Sequence, residues 1–160
     1  MPISASILSV GDRYASHEVK DEAGDVLLGV CAKLGWNIRK REVLPHEEEG
    51  LVAWLTAEAD SGIVDVILTV DGIGVAPQER VPEAMYRVCE KWLPGISEII
   101  RINGYAKNPN LAMTRGVAGV RGKTILINLP GGSPTAIKDA MEVIKPVLRQ
   151  AVEQVKGSGV

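Results

Sequence analysis

The chain has 160 residues, of which 46% are hydrophobic and only 4% aromatic, with no phenylalanine, so that any core must be aliphatic. Its formal net charge of −2 offers no basic face for a nucleic-acid backbone. No apolar run approaches the roughly 20 residues that span a bilayer, and the N-terminus lacks the basic start of a signal peptide. These properties favour a single cytoplasmic domain over residues 1–160 that binds neither nucleic acid nor a membrane.

Strand-type and helix-type hydrophobic periodicities alternate along the chain. Strands are predicted over residues 5–11, 37–45, 64–70 and 123–130, helices over residues 25–36, 47–62, 82–93, 96–106 and 133–155, and a loop-rich segment over residues 107–122. This alternation is typical of a parallel sheet covered by helices on both faces, with the most apolar strand, residues 64–70, at its centre. Pro146 is expected to kink or split the last helix, and the tail, residues 157–160, is expected to fray.

Several familiar sites are absent or weak. Cys31 and Cys89 lie far apart in amphipathic segments, which predicts reduced, buried thiols. His17 and His46 have no supporting ligands at a familiar spacing and are expected in exposed loops. GVAGVRGKT, residues 116–124, ends like a P-loop, but it lacks the leading glycine and precedes a strand instead of following one. A dinucleotide fingerprint also fails, because no third glycine follows Gly-Ile-Gly at residues 72–74.

Two loops follow predicted strands at the edge where α/β sheets bind ligands. In PGGSPT, Gly131 and Gly132 allow the backbone to approach a ligand closely, and Ser133 can cap the next helix, with a proline at its first position. The N-terminus of that helix favours an anion such as phosphate, although an ordinary strand-to-helix turn would have the same residues. In VDGIGVAP, Asp71 opposes phosphate binding, because a carboxylate about 4 Å from a phosphate costs on the order of 4 kcal/mol at an effective dielectric constant near 20.

Taken in order, five segments resemble the Mog/MoaB family of molybdenum-cofactor biosynthesis. They are SVGDR with DEAGDVL, VLPHEEE, VDVILTVDGIGVAPQERVPEAM, AMTRGVAGVRGKT and INLPGGSPTAI. The resemblance runs from about residue 7 to the last helix. It implies a three-layer α/β/α fold with a mostly parallel central sheet, and a homotrimer. Catalytic members bind molybdopterin, a pterin dithiolene with a terminal phosphate, and transfer AMP from Mg-ATP onto that phosphate.

The resemblance also implies which residues form the site. Pterin phosphate would be bound by Gly131, Gly132 and Ser133, and the opposite wall would be formed by Thr69, Gly72 and Gly74. Asp12 and Glu79 are the carboxylates expected to hold Mg²⁺ or to orient ATP, and Asp71 is a third candidate for the catalytic set.

The chain departs from the family pattern at residues of this same site. Thr-Thr-Gly-Gly-Thr-Gly becomes Thr-Val-Asp-Gly-Ile-Gly at residues 69–74, an acidic residue becomes His46, and Arg-Asp becomes Gln78-Glu79. The Ser-Asp-Arg motif begins with Gly11, the Pro-Gly-Ser-Pro loop has an extra glycine, and Val81 replaces a capping threonine, a cap being worth about 1 kcal/mol.

Three functions remain open from the sequence. The first is AMP transfer to molybdopterin, together with other proteins of cofactor assembly. The second is a non-catalytic pterin-binding or assembly homologue of the same fold, since the departures fall on groups that would hold phosphates and magnesium. The third is an unrelated phosphate binder that uses only the PGGSP loop.

Overall fold

The computed structural model describes residues 1–157, which form a sheet with helices on both faces. The strands are β1 Ser4–Val10, β2 Asn37–Leu44, β3 Val66–Val70, β4 Lys91–Trp92, β5 Ala118–Arg121 and β6 Thr124–Leu129. The helices are α1 Asp12–Ala15, α2 Glu22–Lys33, α3 Glu48–Asp60, α4 Val81–Val88, α5 Pro94–Tyr105 and α6 Pro134–Val155, and a 3₁₀ helix covers Pro109–Met113.

The sheet has six strands in the order β2-β1-β3-β6-β5-β4. The pairs β1–β2, β1–β3 and β3–β6 are parallel, whereas β5–β6 and β4–β5 are antiparallel. Every residue of β3 is buried, as expected for an apolar strand at the centre of a covered sheet. The mostly parallel sheet is therefore confirmed, and the carboxyl ends of β1, β3 and β6 come together at one edge.

Aliphatic side chains fill both sides of the sheet. Leu27 of α2 and Ile144 of α6 pack on one face, and Leu51 of α3 and Met85 of α4 pack on the other. Each of these side chains is fully buried, so each helix is attached by the apolar stripe that its periodicity predicted. The three-layer α/β/α arrangement is confirmed.

Two predicted boundaries were wrong because sheet pairing overrides local helical periodicity. The helix expected over residues 82–93 ends at Val88, and the next residues form β4. There the Glu90 N–H donates to the Val120 carbonyl at 2.7 Å, and the Leu93 N–H donates to the Ala118 carbonyl at 2.9 Å. The segment predicted to be loop-rich therefore contains a strand, β5, and also the 3₁₀ helix.

Pro146 was expected to kink or split the last helix; the helix runs without a break through Pro146, so it is not split, and the kink stays a prediction. Both cysteines are free; Cys31 is buried, Cys89 is half-buried, and burial raises the pKa of each thiol to about 12. Of the tail predicted to fray, residues 158–160 lie outside the described part of the chain. No helix within residues 1–157 combines the length and the apolar character that crossing a membrane requires.

Candidate functional site

A cavity of about 560 Å³ lies where β1, β3 and β6 end. Its walls come from α1, α2, the start of α6 and the loops that follow β2, β3 and β6. It brings together seven residues predicted for the site: Asp12, Asp71, Gly72, Glu79, Gly131, Gly132 and Ser133. Loops far apart in sequence meet here because parallel strands present their carboxyl ends at the same edge.

Thr69 and Gly74, also predicted for the site, do not line this cavity. The Thr69 side chain is buried, and its hydroxyl accepts a hydrogen bond from Asn128 Nδ2 at 2.8 Å. A side chain at Gly74 would overlap the Glu79 carboxylate, so this glycine lets Glu79 fold back over its own loop. Both residues therefore support the loop after β3 from behind the cavity surface.

Ser133 begins α6 as predicted. Its hydroxyl accepts a hydrogen bond from the Ala136 N–H at 3.1 Å, and Pro134 is the first helical residue. The Ser133 N–H donates to the Gly131 carbonyl at 2.5 Å, which closes a tight turn. The positive end of the α6 dipole points at the cavity from this turn.

Asp71 joins the loop after β3 to the loop after β6. Its backbone has φ of 70°, a left-handed conformation that non-glycine residues rarely adopt. Its N–H donates to the Leu129 carbonyl at 3.2 Å, and its carboxylate accepts hydrogen bonds from the Gly132 N–H and the Tyr14 hydroxyl. A methyl group at Gly131 would overlap this carboxylate, so the two loops fit together only because residue 131 is glycine.

The environment of Asp71 disfavours its negative charge. Burial raises the pKa of the Asp71 carboxyl, and the nearby charges of Asp21 and Glu79 raise it further, against the lowering effects of the Gly132 N–H and the Tyr14 hydroxyl. Burial and the Asp71 charge likewise raise the pKa of Tyr14. The ionised Asp71 carboxylate therefore lowers the stability of the folded protein.

Asp71→Asn is expected to stabilise the protein at neutral pH. Because the folded-state pKa of Asp71 is raised, the folded protein gains stability from protonation and loses it as pH rises through that pKa. Asparagine has no charge to bury and tolerates φ near 70°. The gain in melting temperature over the wild type should be present at pH 7 and shrink as pH falls toward 3.8, the ordinary pKa of aspartate.

Asp25→Asn is the control, because its expected effect on the melting temperature at pH 7 has the opposite sign. Hydrogen bonds from Arg41 lower the pKa of Asp25, so Asp25→Asn should lower the melting temperature at pH 7 and have less effect in acid. A melting temperature at pH 7 that falls in both variants would contradict the sign assigned to Asp71.

Asp12 and His46 connect the loops after β1 and β2. Asp12 Oδ1 accepts a hydrogen bond from the His46 N–H at 2.8 Å, while the carboxylate as a whole lines the cavity. His46 is half-buried, not exposed as predicted, whereas His17 is exposed. The Nδ1 atom of His46 is buried and makes no hydrogen bond within the described residues.

Glu79 completes the acidic wall. Its Oε2 accepts a hydrogen bond from the Ala76 N–H at 3.1 Å, and its Oε1 takes no part in that hydrogen bond. Within residues 1–157 no three or more His, Cys, Asp or Glu side chains cluster closely enough to hold a metal by themselves. The donor set of Asp12 and Glu79 nevertheless fits Mg²⁺, which commonly takes one or two carboxylates together with substrate phosphates and water.

The charge of the cavity wall is mainly negative. Its ionisable side chains include the carboxylates of Asp12, Glu22, Asp71 and Glu79, against the single guanidinium of Arg13. A triphosphate entering such a site would be repelled unless a divalent cation accompanied it. The wall also has an apolar part, to which Val26 of α2 and Ile137 of α6 contribute.

Arg115 is a supporting residue to which the sequence analysis gave no role. Its Nε donates to the Gly74 carbonyl at 2.8 Å, and its Nη2 donates to the Glu79 carbonyl at 2.8 Å. Its guanidinium also pairs with Glu83, with Nη1 2.6 Å from Oε2. Arg115 therefore fixes the loop that carries Glu79, and the TRG sequence within AMTRGVAGVRGKT was the only signal for it.

Comparison with known proteins identifies the family. A family model described as a probable molybdopterin binding domain matches residues 6–150, which is most of the chain. The chain belongs to the Mog/MoaB family. A molybdopterin adenylyltransferase of Helicobacter pylori is 29% identical over 98% of this chain and 89% of its own length. Molybdenum cofactor biosynthesis protein B of Bacillus subtilis is 27% identical over 96% of this chain and 91% of its own length.

Solved structures agree. The molybdopterin biosynthesis enzyme MoaB from Thermus thermophilus superposes with a TM-score of 0.90 at 36% sequence identity, with 98% of each chain covered. The Mog protein from Mycobacterium ulcerans gives a TM-score of 0.87 at 31% identity over 96% of this chain and 99% of that chain. Membership of the family contradicts the third function considered above, an unrelated phosphate binder.

Proposed function

We propose that this protein binds molybdopterin and transfers AMP from Mg-ATP onto its terminal phosphate. The observation that carries the proposal is the cavity itself, where Asp12 and Glu79 face the loop that begins α6. Relatives that match nearly the whole chain bear the name molybdopterin adenylyltransferase. The reaction forms a bond between the pterin phosphate and the α-phosphorus of ATP, and pyrophosphate leaves.

The cavity wall has groups that suit the pterin ring, the pterin phosphate and the triphosphate of ATP. Val26 supplies an apolar surface for a flat pterin ring. The turn at Gly132 and Ser133 lies at the N-terminus of α6, where a phosphate is favoured by the helix dipole. Magnesium held by Asp12 and Glu79 would neutralise charge on the triphosphate. Each carboxylate has one oxygen fixed by a backbone N–H, which orients the other without using it.

A second candidate is a non-catalytic pterin-binding or assembly protein of the same fold. One observation favours it: Asp71 already uses the Gly132 N–H, a group that would otherwise contact a phosphate. The homotrimer and contacts with other proteins of cofactor assembly stay predictions from the family resemblance, and the cytoplasmic location stays a prediction from the composition.

One assay separates the two candidates. The purified protein is incubated with molybdopterin and Mg-ATP, and pyrophosphate release and the adenylated pterin are followed together. Equimolar appearance of both products is expected for the transferase. Retained pterin binding with no product would favour the non-catalytic homologue, and no pterin binding at all would contradict both.

A further inference from the structure

We propose that Asp71 is a specificity-determining residue, because its carboxylate lies against Gly131 and meets the Gly132 N–H, where a ligand phosphate would bind. A phosphate reaches this N–H only after the carboxylate has turned away. Small free phosphates therefore bind poorly, whereas a phosphate carried on a larger molecule can offset the displacement through its other contacts. The inference deepens the proposed function, since it rests on the PGGSP loop being the phosphate-binding loop.

The first support is the fit of the carboxylate against the loop. Asp71 accepts the Gly132 N–H and lies so close to Gly131 that a methyl group there would overlap it. Both glycines line the cavity, and Gly132 has φ of 60°, which suits a turn that exposes backbone N–H groups. The carboxylate is thus an internal anion in contact with the part of the loop that an external anion would approach.

The second support is that Asp71 is held from several directions. Tyr14 of α1 donates its hydroxyl to the carboxylate, and the Asp71 N–H is bonded to the Leu129 carbonyl at the end of β6. These contacts fix both the backbone and the side chain, so the carboxylate does not leave Gly132 without breaking hydrogen bonds. The charges of Asp21 and Glu79 also act on this carboxylate and raise its pKa.

The third support is the residue type. The family pattern that the chain resembles has a glycine where this chain has Asp71, and glycine would adopt φ of 70° without strain. A side chain has therefore been placed at a position whose backbone suits glycine, and that side chain points at the phosphate-binding loop. Asp71 therefore changes the ligand preference of the loop.

The test measures binding of inorganic phosphate and of inorganic pyrophosphate by calorimetry at pH 7.5, without divalent cations. Asp71→Gly should bind both at least tenfold more tightly than the wild type, because it frees the Gly132 N–H and removes the opposing charge. The affinity of Asp71→Asn for these anions should lie between those of the wild type and Asp71→Gly. Asparagine removes the charge but keeps an acceptor for the Gly132 N–H. Tyr14→Phe should also tighten binding, because the carboxylate then loses one of its hydrogen bonds.

Glu22→Gln is the matched control, because Glu22 lines the same cavity and its loss removes an equal charge. Its affinity for both anions should stay within threefold of the wild type. Equal affinity of Asp71→Gly and the wild type would overturn the inference, and so would an equal gain in Glu22→Gln. The probes require neither ATP nor molybdopterin, so a protein inactive in AMP transfer can still show the gain, and an active one can still fail to show it.

Discussion

Asp12→Asn is expected to lower the rate of AMP transfer about 100-fold while leaving the fold intact. Asparagine keeps an oxygen that can accept the His46 N–H, so the loops after β1 and β2 stay joined. What it loses is the negative charge facing the cavity, on which the proposed binding of magnesium depends. The measurement is the initial rate of pyrophosphate release at saturating ATP and molybdopterin, repeated over a range of Mg²⁺ concentrations.

The Mg²⁺ series distinguishes a ligand of the metal from a residue that only shapes the loop. If Asp12 binds magnesium, the half-saturating Mg²⁺ concentration should rise in Asp12→Asn and the lost rate should recover in part at high Mg²⁺. Glu22→Gln removes a charge from the same cavity wall. It should change the rate by less than about threefold, as expected for a charge that is not a ligand of the magnesium ion. A rate in Asp12→Asn within threefold of the wild type would remove Asp12 from the proposed catalytic set.

Hydrophobic periodicity predicted the fold correctly for the strands that are almost entirely buried. Strands β1, β3 and β6 are almost entirely buried, and continuous apolar segments marked each of them. Strands β4 and β5 could not be found this way, because they have only 2 and 4 residues. These two strands pair only because their backbones approach each other closely at Gly119. A side chain there would overlap the Lys91 carbonyl and the Cys89 sulfur.

The site could be predicted in outline but not in its contacts. The rule that ligands bind beyond the carboxyl ends of parallel strands placed the two glycine-containing loops at one edge, and the structure has them there. The sequence also marked Asp71 as unusual, but it could not show which group the carboxylate meets. That depends on side-chain packing between segments far apart in the chain, as does the attachment of Arg115 to the loop after β3.

Gly72→Ala is expected to destabilise the protein by about 3 kcal/mol. Gly72 has φ of 76°, where an L-residue costs roughly 1–2 kcal/mol. In addition, an added methyl carbon would lie 2.5 Å from Val81 Cγ2 and 3.3 Å from Val10 Cγ1, and such overpacking costs typically about 1–3 kcal/mol. Since Val81 is buried and β-branched, it has little freedom to move aside. The free energy of unfolding in urea measures the loss.

Gly62→Ala separates the two causes of that loss. Gly62 has nearly the same φ, 77°, but an added methyl carbon there would meet no heavy atom within 4 Å. It should therefore lose only the backbone contribution of about 1–2 kcal/mol, and the remainder of the Gly72→Ala loss belongs to packing against Val81 and Val10. Combining Gly72→Ala with Val81→Ala should restore part of that remainder, as a positive coupling of about 1 kcal/mol between residues in contact.

Equal losses in Gly72→Ala and Gly62→Ala would mean that Val81 moves aside to accommodate the added methyl group, so that the packing behind the loop after β3 is less rigid than its buried contacts indicate. The expected inequality has a wider consequence for how this loop is interpreted. Gly72 is then required by the packing of α4 against the ends of β1 and β3, whether or not a ligand approaches it. A glycine after a buried strand is thus weak evidence for a phosphate site, and the chemistry of this loop depends on Asp71 and Glu79.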